Sequence, residues 1–152
     1  MRKDLTGAIE ASARVMWAGW GGEVSGNSGL LNAKTATQVE LGGPGGGTNP
    51  EELLAAALAN CYTSTLTSLA RTRDMELERI ETKAQTRLAW DETTPHHIAR
   101  GELMVRIVSA LPEAEVIALA NDARDHCPVC NVLKATADVT LAVVVEARKA
   151  PG

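Results

Sequence analysis

One long segment without glycine or proline constrains the fold of this chain more than any other feature. It runs from Glu51 to about Thr72. Asn49 is a favourable N-cap, Pro50 suits the first helical position, and Glu52 lies three residues after the cap. At about 1.5 Å per residue, the segment predicts a helix of about 30 Å, the diameter of a small domain.

The spacing of apolar residues in this helix predicts a buried stripe that contains a cysteine. The stripe repeats every three or four residues and consists of Leu54, Leu58, Cys61, Thr65 and Leu69. Between Leu53 and Ala59 the helix is apolar on almost every side, so we expect it to be covered on more than one side. Spacing alone therefore favours a core-packing role for Cys61.

The segments on either side of the helix predict a mixed α+β fold. Upstream, three strands are expected at 8–20, 23–25 and 35–41, with a turn at Gly21-Gly22 and a glycine-rich loop at 42–50 that passes close to other backbone. Downstream, the patterns predict two paired strands, two helices and a closing strand, at 77–90, 97–109, 112–125, 128–135 and 138–148. The order β-β-β-α-β-β-α-α-β indicates an α+β layout.

Length and charge narrow the function classes. With 152 residues, we expect a single domain over 1–152. A net charge of -4 gives no reason to expect nucleic-acid binding. No apolar run reaches the roughly 20 residues of a membrane span, and the first residues lack the apolar region of a signal peptide. The expected protein is soluble and cytoplasmic, with neither a nucleic-acid nor a membrane partner.

The three cysteines are the strongest candidates for chemistry. An odd number argues against a purely structural disulfide framework and favours reactive thiols. Cys127 precedes Pro128 and is predicted to be the N-cap of a short helix, where the helix dipole favours a thiolate. Cys130 completes the pattern C-P-V-C, typical of a dithiol pair or half of a zinc site, but a second pair of zinc ligands is missing. No cofactor motif is present, so no cofactor or metal is expected.

Three segments together resemble the OsmC/Ohr family of thiol peroxidases: GTNPEELLAAALANCYTSTL, the upstream SGLLNAK and the downstream CPVCNVLKA. The resemblance extends from about Trp17 to Val145. It implies an OsmC-like fold, with antiparallel sheets packed around a long central helix in an intertwined homodimer. It also implies an organic hydroperoxide as substrate and a dithiol of the lipoyl type as reductant.

The resemblance implies a role for each matching residue. Cys61 matches the peroxidatic cysteine, whose thiolate attacks the peroxide and becomes a sulfenic acid. Cys127 matches the resolving cysteine, which condenses with that sulfenic acid to a disulfide. Glu51 matches the acidic residue that orients the family's catalytic arginine. Because Glu51 lies about 15 Å from Cys61 along one helix, we expect it to act at the Cys61 of a second chain.

Two positions depart from the family pattern. The family's arginine would lie in segment 18–24 or in segment 35–41, and neither contains Arg or Lys. In segment 18–24, Trp20 or a neighbouring glycine stands at the position of the arginine. Arg14 or Lys34 would be a shifted substitute. A buried thiolate without a cation would have a raised pKa. The second departure is Cys130, a possible additional thiol where the family more often has a small residue such as Ser.

Three functions follow from these residues. The favoured one is a thiol peroxidase that reduces organic hydroperoxides. The alternatives are a binding module of the same fold whose peroxidase activity is lost with the arginine, and a dithiol or zinc protein centred on Cys127 and Cys130. The sequence leaves open whether Cys127 pairs with Cys61 or with Cys130.

Overall fold

A computed structural model describes residues 7–149 and confirms the predicted α+β order. The chain forms two compact units that divide between Pro50 and Glu51, and each is described by itself. A single domain over 1–152 stays a prediction.

The first unit is an antiparallel meander of β1 (Ala13–Ala18), β2 (Gly21–Gly26) and β3 (Asn32–Ala36). The predicted turn at Gly21-Gly22 is wrong, because these two glycines pair with Ala18 and Trp17 in the ladder. The chain turns at Gly19 and Trp20 instead. Gly19 has a φ of 62°, in the left-handed region that glycine adopts without steric cost.

The predicted strand at 35–41 is only partly correct, because β3 ends at Ala36 and a short 3-10 helix follows at Val39–Leu41. The glycine-rich loop folds back on this end of the strand. The Ala36 amide donates to the Thr48 carbonyl at 3.0 Å, and the Gly45 amide donates to the Thr37 carbonyl at 3.0 Å. The loop therefore passes close to other backbone, as predicted, and its contacts override the strand propensity of the residues after Ala36.

The second unit contains three helices and a three-stranded sheet. The helices are α1 (Pro50–Thr72), α2 (Glu113–His126) and α3 (Pro128–Lys134), and the strands are β4 (Arg79–Ala89), β5 (His97–Ser109) and β6 (Asp138–Ala147). β4 and β5 form the predicted antiparallel hairpin. β6 runs parallel to β5, so this sheet is mixed rather than antiparallel throughout. The connection explains this, because α2 and α3 carry the chain back to the end at which β5 begins, so that β6 runs in the same direction.

The core of this unit lies between α1, α2 and one face of the sheet. On α1 the fully buried positions recur every four residues, at Leu58, Tyr62, Leu66 and Ala70. They pack with the buried residues of β5 and α2, which are Leu103, Val105, Ile107, Val116, Leu119, Ala120 and Ala123. The buried stripe is therefore rotated from the predicted one: Leu54, Cys61 and Leu69 lie half-buried beside it. The core-facing Tyr62 was missed by the prediction, which followed the aliphatic positions.

A second face of α1 is open to solvent. Ala56, Ala57, Asn60 and Ser64 are exposed, so the expectation that the helix is covered on several sides is not met within one chain. In the described part of the chain, α1 is the one helix that is long and apolar enough to cross a membrane. The core helices of soluble proteins can have the same length and composition.

Candidate active site

The second unit brings all three cysteines together. Cys61 is half-buried on α1, whereas Cys127 and Cys130 are fully buried at the start of α3. Cys127 is the N-cap of α3 and Pro128 is its first residue, as predicted. The Cys127 sulfur accepts a hydrogen bond from the backbone N–H of Cys130 at 3.4 Å. The Cys127 thiol lies close enough to the thiols of Cys61 and Cys130 to raise the pKa of both.

The surroundings of Cys61 act on its ionisation in opposite directions. Burial raises the pKa of the Cys61 thiol, and the neighbouring Cys127 thiol raises it further. The backbone N–H of Val129 and the hydroxyl of Thr65 lower this pKa, because both stabilise a thiolate. The Thr65 hydroxyl also donates to the Cys61 carbonyl oxygen at 2.9 Å, which holds it beside the sulfur.

The pKa of Cys61 is raised overall, mainly by burial, and two hydrogen-bond donors oppose this rise, whereas no charged side chain of the second unit's described residues lowers it. This agrees with the absence of the family's arginine. The two cations considered as substitutes belong to the first unit, Arg14 on β1 and Lys34 on β3, and Trp20, at one of the arginine positions, lies in the β1–β2 turn.

Cys130 is harder to ionise in the folded protein than an ordinary thiol. Burial, together with the neighbouring Cys127, raises the pKa of Cys130 to about 12, against a small lowering by the Lys134 ammonium group. Cys130 is therefore protonated at neutral pH.

Tyr62 joins α1, which carries Cys61, to α2, which leads into the segment that carries the other two thiols. It is buried next to Cys61 in the sequence, and its hydroxyl donates to the carbonyl oxygen of Ala120 on α2 at 3.0 Å. α2 leads directly into Cys127. Neither Tyr62 nor Thr65 was predicted as a site residue, although Thr65 lies one helical turn after Cys61, a spacing that places two residues on the same helix face.

Glu51 does not reach Cys61 within one chain. Both residues lie on the continuous helix α1, ten residues apart, which separates them by about 15 Å along its axis. The Glu51 carbonyl oxygen accepts a hydrogen bond from the Thr86 hydroxyl at 2.8 Å, which joins the start of α1 to β4.

The histidine nearest the thiols in the sequence points elsewhere. His126 is exposed, and its Nδ1 lies 2.8 Å from the Asp122 carbonyl oxygen. Among residues 7–149, no three or more His, Cys, Asp or Glu side chains are arranged to hold a metal ion.

Known proteins are similar to this chain in sequence and in fold. The model of the OsmC-like protein family matches residues 43–142. The organic hydroperoxide resistance protein of Xanthomonas axonopodis pv. citri is 33% identical over 112 residues, which is 73% of this chain and 78% of that protein. The organic hydroperoxide resistance protein OhrA of Bacillus subtilis is 34% identical over 96 residues, covering 63% of this chain and 67% of that protein.

Solved structures agree. The organic hydroperoxide resistance protein OsmC from Legionella pneumophila matches with a TM-score of 0.81 and 31% identity, over 92% of this chain and 100% of that one. OhrB of Bacillus subtilis matches with a TM-score of 0.73 and 26% identity, over 90% of this chain and 98% of that one. With the family model spanning most of the chain and the fold shared almost end to end, this protein belongs to the OsmC-like family.

Proposed function

We propose that this protein is a cysteine-based thiol peroxidase that reduces organic hydroperoxides. The observation that carries the proposal is the closeness of the half-buried Cys61 thiol to the buried Cys127 thiol, which raises the pKa of Cys61 although the two residues are distant in the sequence. Relatives named organic hydroperoxide resistance proteins support the substrate class. Partly buried apolar residues near Cys61, such as Leu54 and Val129, favour an alkyl peroxide over hydrogen peroxide.

The reaction begins at Cys61, the most accessible of the three sulfurs. Its thiolate, stabilised by the Val129 N–H and the Thr65 hydroxyl, attacks the terminal peroxide oxygen. The O–O bond breaks, the alcohol leaves with a proton, and Cys61 becomes a sulfenic acid. The Cys127 sulfur then attacks the Cys61 sulfur, water leaves, and a Cys61–Cys127 disulfide forms. A small dithiol of the lipoyl type reduces this disulfide.

A second chain completes the site in this proposal. Glu51 is too far from the Cys61 of its own chain, and α1 has an open groove lined by Asn60, Thr63, Ser64, Thr67, Ser68, Arg71 and Thr72. Most of these side chains are short, which allows a second helix to pack against this face. We expect a cytoplasmic homodimer in which Glu51 of one chain acts near Cys61 of the other. A stable monomer in light scattering would rule out this shared site.

One observation favours a second function. Within the described second unit no cation supports the Cys61 thiolate. A thiol that stays protonated would leave an OsmC-like module that binds small apolar molecules without reducing them. The two functions differ in turnover, so an activity measurement separates them.

The test is consumption of cumene hydroperoxide with dihydrolipoamide as reductant. The wild type, Cys61→Ser, Cys127→Ser and the control Thr140→Ser, exposed on β6, are compared. Cys61→Ser should lose all turnover. Cys127→Ser should react once and then accumulate oxidised Cys61, because its sulfenic acid has no resolving partner. Equal rates for wild type and Cys61→Ser would overturn the proposal.

A further inference from the structure

The third thiol has no part in the proposed peroxidase cycle, yet it contacts the resolving sulfur. Cys127 is the shared neighbour: its sulfur accepts the Cys130 N–H at 3.4 Å, and its thiol is near enough to those of Cys61 and Cys130 to affect the ionisation of both. With a spacing of three residues at the start of α3, the Cα atoms of Cys127 and Cys130 are about 5 Å apart. This lies within the roughly 4.4–6.8 Å range of Cα distances in disulfides.

We propose that Cys130 displaces Cys61 from the Cys61–Cys127 disulfide, so that the oxidised protein holds a buried Cys127–Cys130 disulfide and regains a free Cys61. This relay rests on the proposed peroxidase function. The Cys130 sulfur, after losing its proton, attacks the Cys127 sulfur. The Cys127–Cys130 bond forms, the Cys61–Cys127 bond breaks, and its electron pair leaves on the Cys61 sulfur, which takes up a proton. The exchange itself involves no net oxidation.

The direction of the exchange follows from the surroundings of the two outer sulfurs. Cys61 has two hydrogen-bond donors that stabilise its thiolate, and it is only partly buried. Cys130 is 0% exposed and is buried beside Cys127. In thiol–disulfide exchange the sulfur that carries a thiolate more readily is the better leaving group. The disulfide therefore settles on Cys127 and Cys130.

Burial decides what the relay does for the protein. Cys127 and Cys130 are both 0% exposed, so a dithiol in solution cannot attack either sulfur directly. Reduction has to pass back through Cys61, which is the accessible thiol. A molecule oxidised once consequently keeps a reactive Cys61 for a second hydroperoxide, before any reductant arrives.

The stoichiometry of hydroperoxide consumption without reductant tests the relay. We expect the wild type to consume two equivalents of cumene hydroperoxide and to end with a Cys61 sulfenic acid that dimedone labels. Cys130→Ser should stop at one equivalent, with Cys61 and Cys127 joined and no dimedone label. Circular dichroism and light scattering establish that the variant is folded.

A second test maps the disulfide in the oxidised wild type and needs no variant. After one equivalent, alkylation and peptide mapping should find Cys61 free and a Cys127–Cys130 disulfide. A free Cys130, or a free Cys127, would overturn the relay while leaving the peroxidase function intact. Absence of any consumption would overturn the peroxidase function itself. The exchange should accelerate about tenfold per pH unit between pH 7 and 9, because the attacking thiolate of Cys130 becomes more abundant.

Discussion

The hydroxyl of Tyr62 on α1 donates to the carbonyl oxygen of Ala120 on α2 at 3.0 Å, in the centre of the core of the second unit. The adjacent residue on α1 is Cys61, and α2 ends next to Cys127. One buried hydrogen bond therefore joins the two helices whose relative position sets the contact between these thiols.

Tyr62→Phe removes this hydrogen bond without changing the packed ring. We expect the free energy of unfolding to fall by about 1 kcal/mol, since one neutral buried hydrogen bond is lost. Urea unfolding at pH 7 measures the change. Tyr62→Ala should cost more, roughly 3–5 kcal/mol, because it also leaves a cavity. Equal stability of Tyr62→Phe and the wild type would mean that the bond contributes nothing to the fold.

Thr65→Val removes the hydroxyl beside the Cys61 sulfur. Because this hydroxyl lowers the pKa of Cys61, the variant should have a higher pKa and a lower rate of alkylation by iodoacetamide at pH 7, by roughly three- to tenfold. Thr140→Val is the control, since this threonine is exposed on β6, away from both the thiols and the proposed dimer groove. Similar rates for both variants would contradict a role for Thr65.

The buried Cys130 thiol makes the free energy of unfolding depend on pH in the alkaline range. Folding raises the pKa of Cys130 from an ordinary value of 9.0 to about 12, mainly through burial. As the pH rises, the unfolded chain therefore releases the Cys130 proton before the folded chain does. The contribution of this thiol to the free energy of unfolding is complete below pH 9 and is lost as the pH rises towards 12. Between these values the wild type should lose stability more steeply than Cys130→Ser, by roughly 1 kcal/mol per pH unit. Urea unfolding at several pH values gives both slopes, and equal slopes would contradict the assignment.

Gly101 is a buried position of β5 with limited space. A Cβ at Gly101 would lie 3.4 Å from Leu58 and 3.6 Å from Leu133, which are ordinary van der Waals distances. Gly101→Ala should therefore be tolerated, and it gains up to about 1 kcal/mol because glycine loses more backbone entropy on folding. Gly101→Leu should cost about 1–3 kcal/mol through overpacking. Thermal unfolding of the two variants checks this, and a destabilised Gly101→Ala would show that the site is tighter than these distances indicate.

The sequence predicted which helices and strands form more accurately than it predicted where some of them end and which strands pair. The start of α1 at Pro50 and the β4–β5 hairpin were predicted correctly, because caps, turns and periodicity act over a few residues. The end of β3 was predicted incorrectly because contacts with the glycine-rich loop determine it. The turn at Gly19 was missed because the register of the β1–β2 ladder determines it. The parallel pairing of β6 with β5 likewise depends on the path of α2 and α3.

The sequence by itself determined the family, the long helix and the identity of the three thiols, because these depend on residue types and short spacings. Only the tertiary structure decided that Cys127 touches both Cys61 and Cys130, and that Thr65 and Val129 support the Cys61 sulfur. The physical reason is that sulfur contacts and ionisation depend on burial and on donors from separate helices. A linear pattern of residues specifies neither.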